Sequence, residues 1–498
     1  MRPLLSPQEM AAADKATIEA GTAVEVLMES AGRAVARGAI DVAGGRYGRR
    51  AVVVCGKGNN GGDGFVAARV MRAEGLGVRC LFVGDSDAIE GAARHHLELF
   101  RKRGGSVEPF EARALTGTDV IVDALFGTGF RGEAEGPAAE AIDAMNTSGV
   151  PIVAVDIPSG VNGATGAADG PAVEAIVTIA MGAEKIGTAI GRGAALAGAV
   201  TVADIGIDVP DARVAMAQKV DVRNVLPTRA VDAHKRSNGA VALLVGSEGM
   251  SGAAILTARG AVRMGAGYAT VGVTTSVDPI ISEALPEVLT KVVTDADVLG
   301  ADALESFKEV LERADAVALG PGLGQGAMQR GLVERVLREV PLPVVVDADG
   351  LNVLAGHTDA LVERTAAAVI TPHPAELARL LETETDAIQK DRLGAARAAA
   401  ERFGCVVVLK GFRSITAGPD GTVVINPTGG PSLATAGTGD VLTGAVAALL
   451  AGGSEPFDAA WAATYVHGLA GDLAGDEGVV AWDVAEALPD AIALVRSE

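Results

Sequence analysis

The sequence predicts an α/β protein of two domains, each a parallel β-sheet covered by helices. Two series of short apolar runs alternate with helix-like or glycine-rich segments, and a stretch at 208–236 with isolated prolines and no clear amphipathic helix separates them. The length of 498 residues also exceeds what one core usually serves, since domains run to ~100–200 residues. Hydrophobic residues at 49% against 21% charged allow a sizeable core and exclude disordered and fibrous classes. The 65 glycines lack a collagen-like triplet period, so they mark tight turns and close backbone approaches.

Taken in order, Ser6-Pro7-Gln8-Glu9 reads as a capping box with proline at the first helical position. Thr22-Ala23-Val24-Glu25 repeats the box ahead of Leu27, Met28, Ala31 and Val35, so two helices open the chain. Strands are expected at 51–55 (AVVVC), 78–83 (VRCLFV), 119–126 (DVIVDALF), 151–157 (PIVAVDI), 175–180 (AIVTIA) and 199–205 (AVTVADI). The domain boundary falls at 208–236. The second series runs through 239–246, 268–274, 315–319, 342–347, 367–371, 404–409 and 421–425. The two series share a style but no alignable repeat.

A net charge of −21 and a pI near 4.8 repel polyanions, which argues against nucleic acid as a partner. A small anionic ligand stays open, because backbone N–H groups at helix starts bind phosphate inside an acidic protein. Cys55, Cys80 and Cys405 are scattered and embedded in apolar runs, which argues against a disulfide framework or zinc site. The start MRPLLSPQEM has no signal-peptide pattern and no run of ~18 apolar residues occurs, so the expectation is a cytoplasmic chain without a membrane partner.

Strand 51–55 runs into Gly56-Lys57-Gly58-Asn59-Asn60-Gly61-Gly62-Asp63-Gly64 and then into a helical segment. Such a glycine-rich turn offers bare N–H groups and a helix dipole to a phosphate, while Asn59, Asn60 and Asp63 add side-chain donors and acceptors. The plain alternative is a tight turn with Asn at positive φ; two asparagines, two glycines and an aspartate in succession favour a ligand loop. The pattern is neither a Walker A loop nor GxGxxG. Asp123 in VDALFGTGFRGE and Asp156 in VDIPSGVNG end two further strands beside glycine. In a doubly wound sheet such ends gather at one edge, which would set both acids across a cleft from the Asn59–Gly64 loop.

NNGGDG, DALFGTG and DIPSG, in this order and spacing, resemble the NAD(P)H-hydrate epimerases over about 1–215. The resemblance implies a Rossmann-like doubly wound domain that interconverts the R and S epimers at C6 of the hydrated nicotinamide ring. It implies that Asn59, Asn60, Gly61, Gly62 and Asp63, together with Gly127, Thr128, Gly129, Phe130, Arg131, Gly132 and Glu133, hold the hydrated dinucleotide. It further implies that Asp156 contacts the reacting end and that a potassium ion sits on Asn60, Asp123 and Ser159, oxygen ligands that suit a hard cation. Epimerising a carbinolamine needs loss and return of water or ring opening, so a carboxylate must shuttle a proton, and Asp156 is the candidate. Lys185 in MGAEKIG would assist or bind phosphate, against the plainer reading of a solvated surface charge.

The richest stretch of the second half is Thr435-Ala436-Gly437-Thr438-Gly439-Asp440, followed by a helix-like AVAALLAGG. Gly437 to Gly439 would present consecutive N–H groups at a helix start as an anion hole for a transferring phosphoryl group, with Asp440 beside it as the base that takes a hydroxyl proton. The alternative, an aspartate cap worth ~1 kcal/mol, does not need a glycine on either side of a threonine before it. Lys410-Gly411-Phe412-Arg413-Ser414, Asn426-Pro427-Thr428, Asp347-Ala348-Asp349 and Thr371-Pro372-His373 also put polar groups at strand ends. His373, rigid between two prolines, reads as a ligand contact; His95, His96, His234, His357 and His467 form no metal spacing.

GTGD resembles the ribokinase-like superfamily, and GSEGMSGAAILTARGAVRMGAGY, GPGLG, DADGLN, TPHPAE and KG resemble the ADP-dependent NAD(P)H-hydrate dehydratases over about 225–498. The resemblance implies that Ala254, Gly324, His373 and Asp440 contact the hydrated dinucleotide. It implies that Lys410, Gly411, Phe412, Arg413, Ser414 and Gly439 hold the adenine nucleotide, with ADP as co-substrate and Mg²⁺ neutralising its oxygens. A dehydratase acts on the S epimer, so a fused epimerase lets one chain clear both. The partners expected are NADHX or NADPHX and ADP, in a homo-oligomer. Two other classes stay open on residues alone: a ribokinase-like small-molecule kinase with a regulatory first domain, which would release a stable phosphorylated product, and a non-catalytic nucleotide-binding module.

Overall fold

A computed structural model describes residues 1–228 and 235–497, so His234 lies outside the described residues. The chain divides into two compact units, Pro3–Val214 and Ala215–Glu498 with Met1–Arg2. Among the described residues no helix is long and apolar enough to cross a membrane.

The first unit begins with strand β1 (Arg2–Leu5) and the helix Pro7–Glu19, whose capping box forms as expected: Glu9 N–H donates to Ser6 Oγ and Ser6 N–H to Glu9 Oε2. The second box does not form. The helix Val24–Val42 starts after Ala23 with no side-chain cap, leaving Thr22 one residue too early. The strands are β2 (Arg50–Cys55), β3 (Gly77–Phe82), β4 (Val107–Pro109), β5 (Val120–Ala124), β6 (Ile152–Val155), β7 (Val177–Met181), β8 (Glu184–Lys185) and β9 (Ala199–Ala203). Seven of them form a wholly parallel sheet in the order β4-β3-β2-β5-β6-β7-β9. That is the doubly wound arrangement, and the order reverses between β2 and β5, where a ligand crevice opens beyond the carboxyl ends. The short β8 pairs instead with β1, Leu5 opposite Lys185.

In the second unit, β10 (Val214–Met216) at the boundary is followed by a helix Lys219–Val225 inside the stretch read as featureless. Then come β11 (Ala240–Leu244), β12 (Tyr268–Thr274), β13 (Leu289–Thr294), β14 (Ala316–Leu319), β15 (Val344–Val346), β16 (Ala368–Ile370), β17 (Val406–Leu409), β18 (Ile415–Ala417) and β19 (Val423–Ile425). They run β13-β12-β11-β14-β15-β16-β17-β18-β19, parallel up to β17 and antiparallel through β18 and β19. The helix Thr438–Ala451 is apolar nearly all round and buried accordingly. It packs on the helix Ser251–Met264 through two glycines: a Cβ on Gly444 would meet Thr257 O at 1.9 Å, and one on Gly260 would meet Val441 O at 2.3 Å. Only glycine permits that spacing, and it fixes where the first turn of Thr438–Ala451, with Asp440, is delivered.

Candidate active sites

In the first unit, a cavity of about 790 Å³ opens at the β2/β5 switch point, lined by Lys57 to Asn60, Asp63, Leu125 to Arg131, Asp156 and Lys185. The NNGGDG segment is not the loop expected from its glycines. The helix Asn59–Ala73 begins at the first asparagine, and no residue of the segment has positive φ. Its glycines serve contact: a Cβ on Gly61 would lie 1.9 Å from Gly56 O, and one on Gly62 would lie 2.5 Å from Met28 Sδ. They press the helix start onto β2 and onto the helix Val24–Val42, and Asn59, Asn60 and Asp63 are the members that line the cavity. Of 127–133, Gly127 to Arg131 line it, whereas Gly132 and Glu133 are exposed outside. Phe126 and Phe130 stack with centroids 4.8 Å apart, giving the wall an aromatic platform.

Asp156 follows β6 at φ 67, a conformation costly for a non-glycine residue. Its N–H donates to Ile179 O at 2.8 Å, and its Oδ1 accepts from Met181 N–H at 3.0 Å and from Lys185 Nζ at 2.5 Å. Lys185 is not a solvated charge: it is wholly buried, and its remaining bonds go to Met181 O at 2.7 Å and Ala183 O at 3.0 Å. With all three N–H directions engaged it has no proton left for a phosphate. It is a positioning residue for Asp156. Burial pushes the Asp63 carboxyl well above the usual range, with Asp156 adding, Lys185 opposing and Asp14 adding. Burial also raises Asp14, against Lys185 and with Asp156.

Asn60, on the cavity wall, and Ser159, which holds Asp123, meet at the Phe126 backbone. Asn60 Nδ2 donates to Phe126 O at 2.7 Å, Ser159 Oγ donates to Asp123 Oδ1 at 2.6 Å, and Ser159 N–H donates to Asp123 Oδ2 at 2.8 Å. Asp123 is fully buried and, among the described residues, no ammonium or guanidinium pairs with it. Burial pushes its carboxyl up to about 6, while bonds from Ser159 and Leu125 hold it from rising further.

In the second unit, Asp347, Thr371 to His373 and Lys410 follow neighbouring strands β15, β16 and β17, so they converge at one sheet edge. Lys410 Nζ donates to Asp347 Oδ1 at 2.6 Å and lies 3.9 Å from Glu376 Oε2. Thr443 Oγ1, on the helix that carries Asp440, donates to the other Asp347 oxygen at 2.9 Å. The glycine-threonine-glycine turn sits on this cluster. Gly437 is left-handed at φ 90, and a Cβ on Gly439 would fall 3.3 Å from Lys410 Nζ and 3.4 Å from Asp347 Oδ2. Burial pushes the Asp440 carboxyl up to about 7, with Asp347 adding, Lys410 opposing, and Asp349 and Glu376 adding. Burial lowers the Lys410 pKa, but Asp347, Glu376 and Asp440 outweigh it and the net shift is upward.

His373 combines two roles. Its Nδ1 caps the helix Pro374–Leu381, accepting from Ala375 N–H at 3.1 Å and Glu376 N–H at 3.4 Å, while its ring is half exposed. Burial, then Lys410 and Arg379, lower its pKa against Asp347, and with Nδ1 accepting, the neutral ring carries its proton on Nε2, 3.5 Å from Glu376 Oε1. Gly324 N–H donates to Asp349 Oδ2 at 2.9 Å. Ala254 is fully buried against Gly246, so it shapes the site only from behind. Of the 410–414 loop, Lys410 turns into the cluster around Asp440, Ser414 Oγ donates to Gly411 O at 3.0 Å, Arg413 Nη1 donates to Pro427 O at 3.2 Å, and Phe412 is exposed.

Several participants escaped sequence reasoning. Arg392 is buried and gives its guanidinium to the carbonyls of Leu409, Lys410 and Phe412, bracing the loop from an element that carries no motif. Thr443 joins the cluster through a contact 96 positions away, and Asp347 and Glu376, legible only as polar groups at strand ends, are drawn in by Lys410. His467 bonds the Thr438 backbone from the helix Pro456–Ala474, and burial pushes its ring down to about 4.

The comparisons with known proteins divide along the same lines. Residues 241–492 match the family model described as NAD(P)H-hydrate dehydratase, and residues 24–187 match that described as YjeF-related protein N-terminus. The bifunctional NAD(P)H-hydrate repair enzyme of Moorella thermoacetica is 41% identical over 486 residues, covering 93% of this chain and 91% of its own length. The enzyme of the same name from Thermofilum pendens is 37% identical over 496 residues, covering 96% and 94%. A ribokinase-like superfamily protein of Enterococcus faecalis matches in structure with a TM-score of 0.51 at 25% identity, covering 58% of this chain and 99% of its own.

Proposed function

The chain belongs to the bifunctional NAD(P)H-hydrate repair enzymes, and from that premise we propose how its own residues carry the two reactions. The protein is an epimerase joined to a dehydratase; we assign the first activity to 1–215 and the second to 225–498. The observation that carries the assignment is a pair of aspartates, one in each unit, each at a strand end or helix start beside an ion-paired lysine: Asp156 with Lys185, and Asp440 near Lys410 and Asp347.

In the epimerase, the Phe126–Phe130 wall and the Asn59–Asp63 helix start would hold the hydrated dinucleotide, with Asp156 at the reacting carbon. A potassium ion would rest on Asn60, Asp123 and Ser159, where a fully buried carboxylate with no described cationic side chain beside it would gain the charge it lacks. When bound, the ion would supply a fixed positive charge behind the loop 127–131.

In the dehydratase, Asp440 takes the proton of the ring hydroxyl, whose oxygen attacks the terminal phosphorus of ADP and releases AMP. The hydroxyl thus becomes a phosphate ester, a far better leaving group. The nitrogen lone pair expels inorganic phosphate from C6, and loss of a proton from C5 restores the double bond of NAD(P)H. A pKa of about 7 suits Asp440 to this, since a base near the working pH is both available and strong enough. The amides of Gly437 to Gly439 would bind the transferring phosphoryl, and His373 Nε2–H would donate to the substrate. Mg²⁺ would neutralise nucleotide oxygens. Asp347 and Asp349 already give both their oxygens to protein donors, so the ion would rest largely on phosphates and water, as Mg²⁺ commonly does.

A cytoplasmic location is supported by three buried, free cysteines. A homo-oligomer is part of the proposal, and light scattering reads it directly. The functional test is recovery of absorbance at 340 nm from an equilibrated R and S mixture of NADHX with ADP, Mg²⁺ and K⁺. Full recovery is expected from the native chain, recovery stopping near the S fraction from Asp156→Asn, and none from Asp440→Asn. No recovery by the native chain with ADP or ATP, together with a stable phosphorylated product from another substrate, would favour the kinase reading.

A further inference from the structure

Resting on the epimerase reading, we infer that Asp63 is the proton donor that works beside Asp156, the two carboxyls opening and reclosing the hydrated ring as an acid and base pair. Both line the same cavity, Asp156 after β6 and Asp63 in the second turn of the helix Asn59–Ala73. Their surroundings differ in charge. Asp156 has an ammonium of its own: Lys185 Nζ and Met181 N–H both bond its Oδ1, and its Oδ2 takes no donor among the described residues. Asp156 lines the cavity, so Oδ2 is the oxygen left for a proton from the substrate. Asp63 is only 9% exposed, and no described cation bonds it, because Lys185 has all its donors engaged with Asp156, Met181 O and Ala183 O. The charged groups facing it are Asp14 from the helix Pro7–Glu19, Asp156 and Lys185. Burial and the neighbouring carboxylates favour its neutral form. A buried carboxyl with no described cation bonded to it, beside a carboxylate that holds a lysine ammonium, gives one cavity an acid and a base.

The chemistry such a pair performs is that of sugar mutarotation. C6 of the hydrated ring bears a hydroxyl and the ring nitrogen, so a base at the hydroxyl and an acid at the nitrogen can act on adjacent atoms. Asp156 takes the hydroxyl proton, the oxygen lone pair forms C6=O, the C6–N1 bond breaks, and its electrons accept the Asp63 proton at N1. The product is an aldehyde and an enamine N–H. Rotation about C5–C6 presents the other face of the aldehyde. N1 then adds to C6 and returns its proton to Asp63, while Asp156 returns its proton to the oxygen. Both carboxyls end as they began, no water enters or leaves, and the opposite epimer is formed.

Two measurements test this. The R-to-S rate of Asp63→Asn, an isostere of the protonated acid, is coupled to the dehydratase of the same chain at 340 nm. The expected result is a fall in kcat of about 100-fold with KM within about threefold, and partial recovery in Asp63→Glu. An Asp63→Asn chain that epimerises at the native rate overturns the pairing alone; a native chain that does not epimerise overturns the epimerase reading with it. A second run uses Asp440→Asn, in which dehydration is silenced, in ¹⁸O-water. Mass spectra of the S epimer should show the original oxygen retained, and incorporation of one ¹⁸O at every inversion overturns ring opening.

Discussion

The most searching consequence of the second site is its pH dependence. The proposed base, Asp440, can act only when ionised, and its carboxyl is pushed up to about 7, by burial first and then by Asp347, with Lys410 opposing. At pH 6 about one-tenth of chains are therefore competent, and at pH 5 about one-hundredth, so kcat/KM for the S epimer should fall tenfold per unit below 7. Two variants move this limb in opposite directions. Lys410→Met removes a charge that lowers the Asp440 pKa, so the limb moves to higher pH. Asp347→Asn removes one that raises it, so the limb moves lower. Stability runs the other way from activity. The folded carboxyl holds its proton more tightly than the unfolded chain does, so its cost is absent below pH ~4, grows up to about 7 and is constant above. Asp440→Asn removes that cost: at pH 8 its melting midpoint should exceed the native one while its turnover falls by ~10²–10⁴-fold, and the gap should close near pH 4. The assay is initial rate at 340 nm from pH 5 to 8 beside calorimetry. A flat profile, a shift of the same sign in both charge variants, or a lower midpoint for Asp440→Asn at pH 8 would refute the reasoning.

Lys185→Met leaves a buried carboxylate without its ion, so chemical denaturation should show a loss of about 3–5 kcal/mol, and epimerisation should fall while dehydration of the S epimer persists. His373→Asn keeps a good helix cap but loses the Nε2 donor, whereas His373→Ala loses both; KM should rise in each, and only the alanine variant should give up a further ~1 kcal/mol of stability. Gly437→Ala meets a left-handed φ of 90 and puts a Cβ 2.5 Å from Leu256 Cδ1, so at least ~1–2 kcal/mol and most dehydration should be lost, with epimerisation kept. Replacing K⁺ by Li⁺ should slow the epimerase and spare the dehydratase, and Ser159→Ala should weaken that dependence, as titration of the R-to-S rate against each salt will show.

Acids beside glycine are the legible part of both candidate sites. A carboxylate beside glycine at the end of an apolar run picks out Asp156 and Asp123, and one beside glycines at a helix start picks out Asp440. Partners were not legible, because they are contacts over long separations: Lys410 reaches Asp347 across 63 positions, and Thr443 reaches it across 96. Lys185 read as a surface charge because its two residues of strand, β8, are too short to show a period, yet it is wholly buried. NNGGDG was read as a loop since glycine signals both turns and close packing; here Gly61 and Gly62 serve packing inside a helix. The strands Leu289–Thr294 and Ile415–Ala417 were missed for related reasons, the first being largely exposed and the second only three residues long.

By drawing the carbonyls of Leu409, Lys410 and Phe412 inward, Arg392 turns the acceptors of that loop away from its outer rim. Anyone copying residues 410–414 alone onto a related scaffold would thus transplant the letters without the polarity, since the residue that orients the segment lies on the helix Arg392–Phe403. The transferable module is the loop plus that one buried cation.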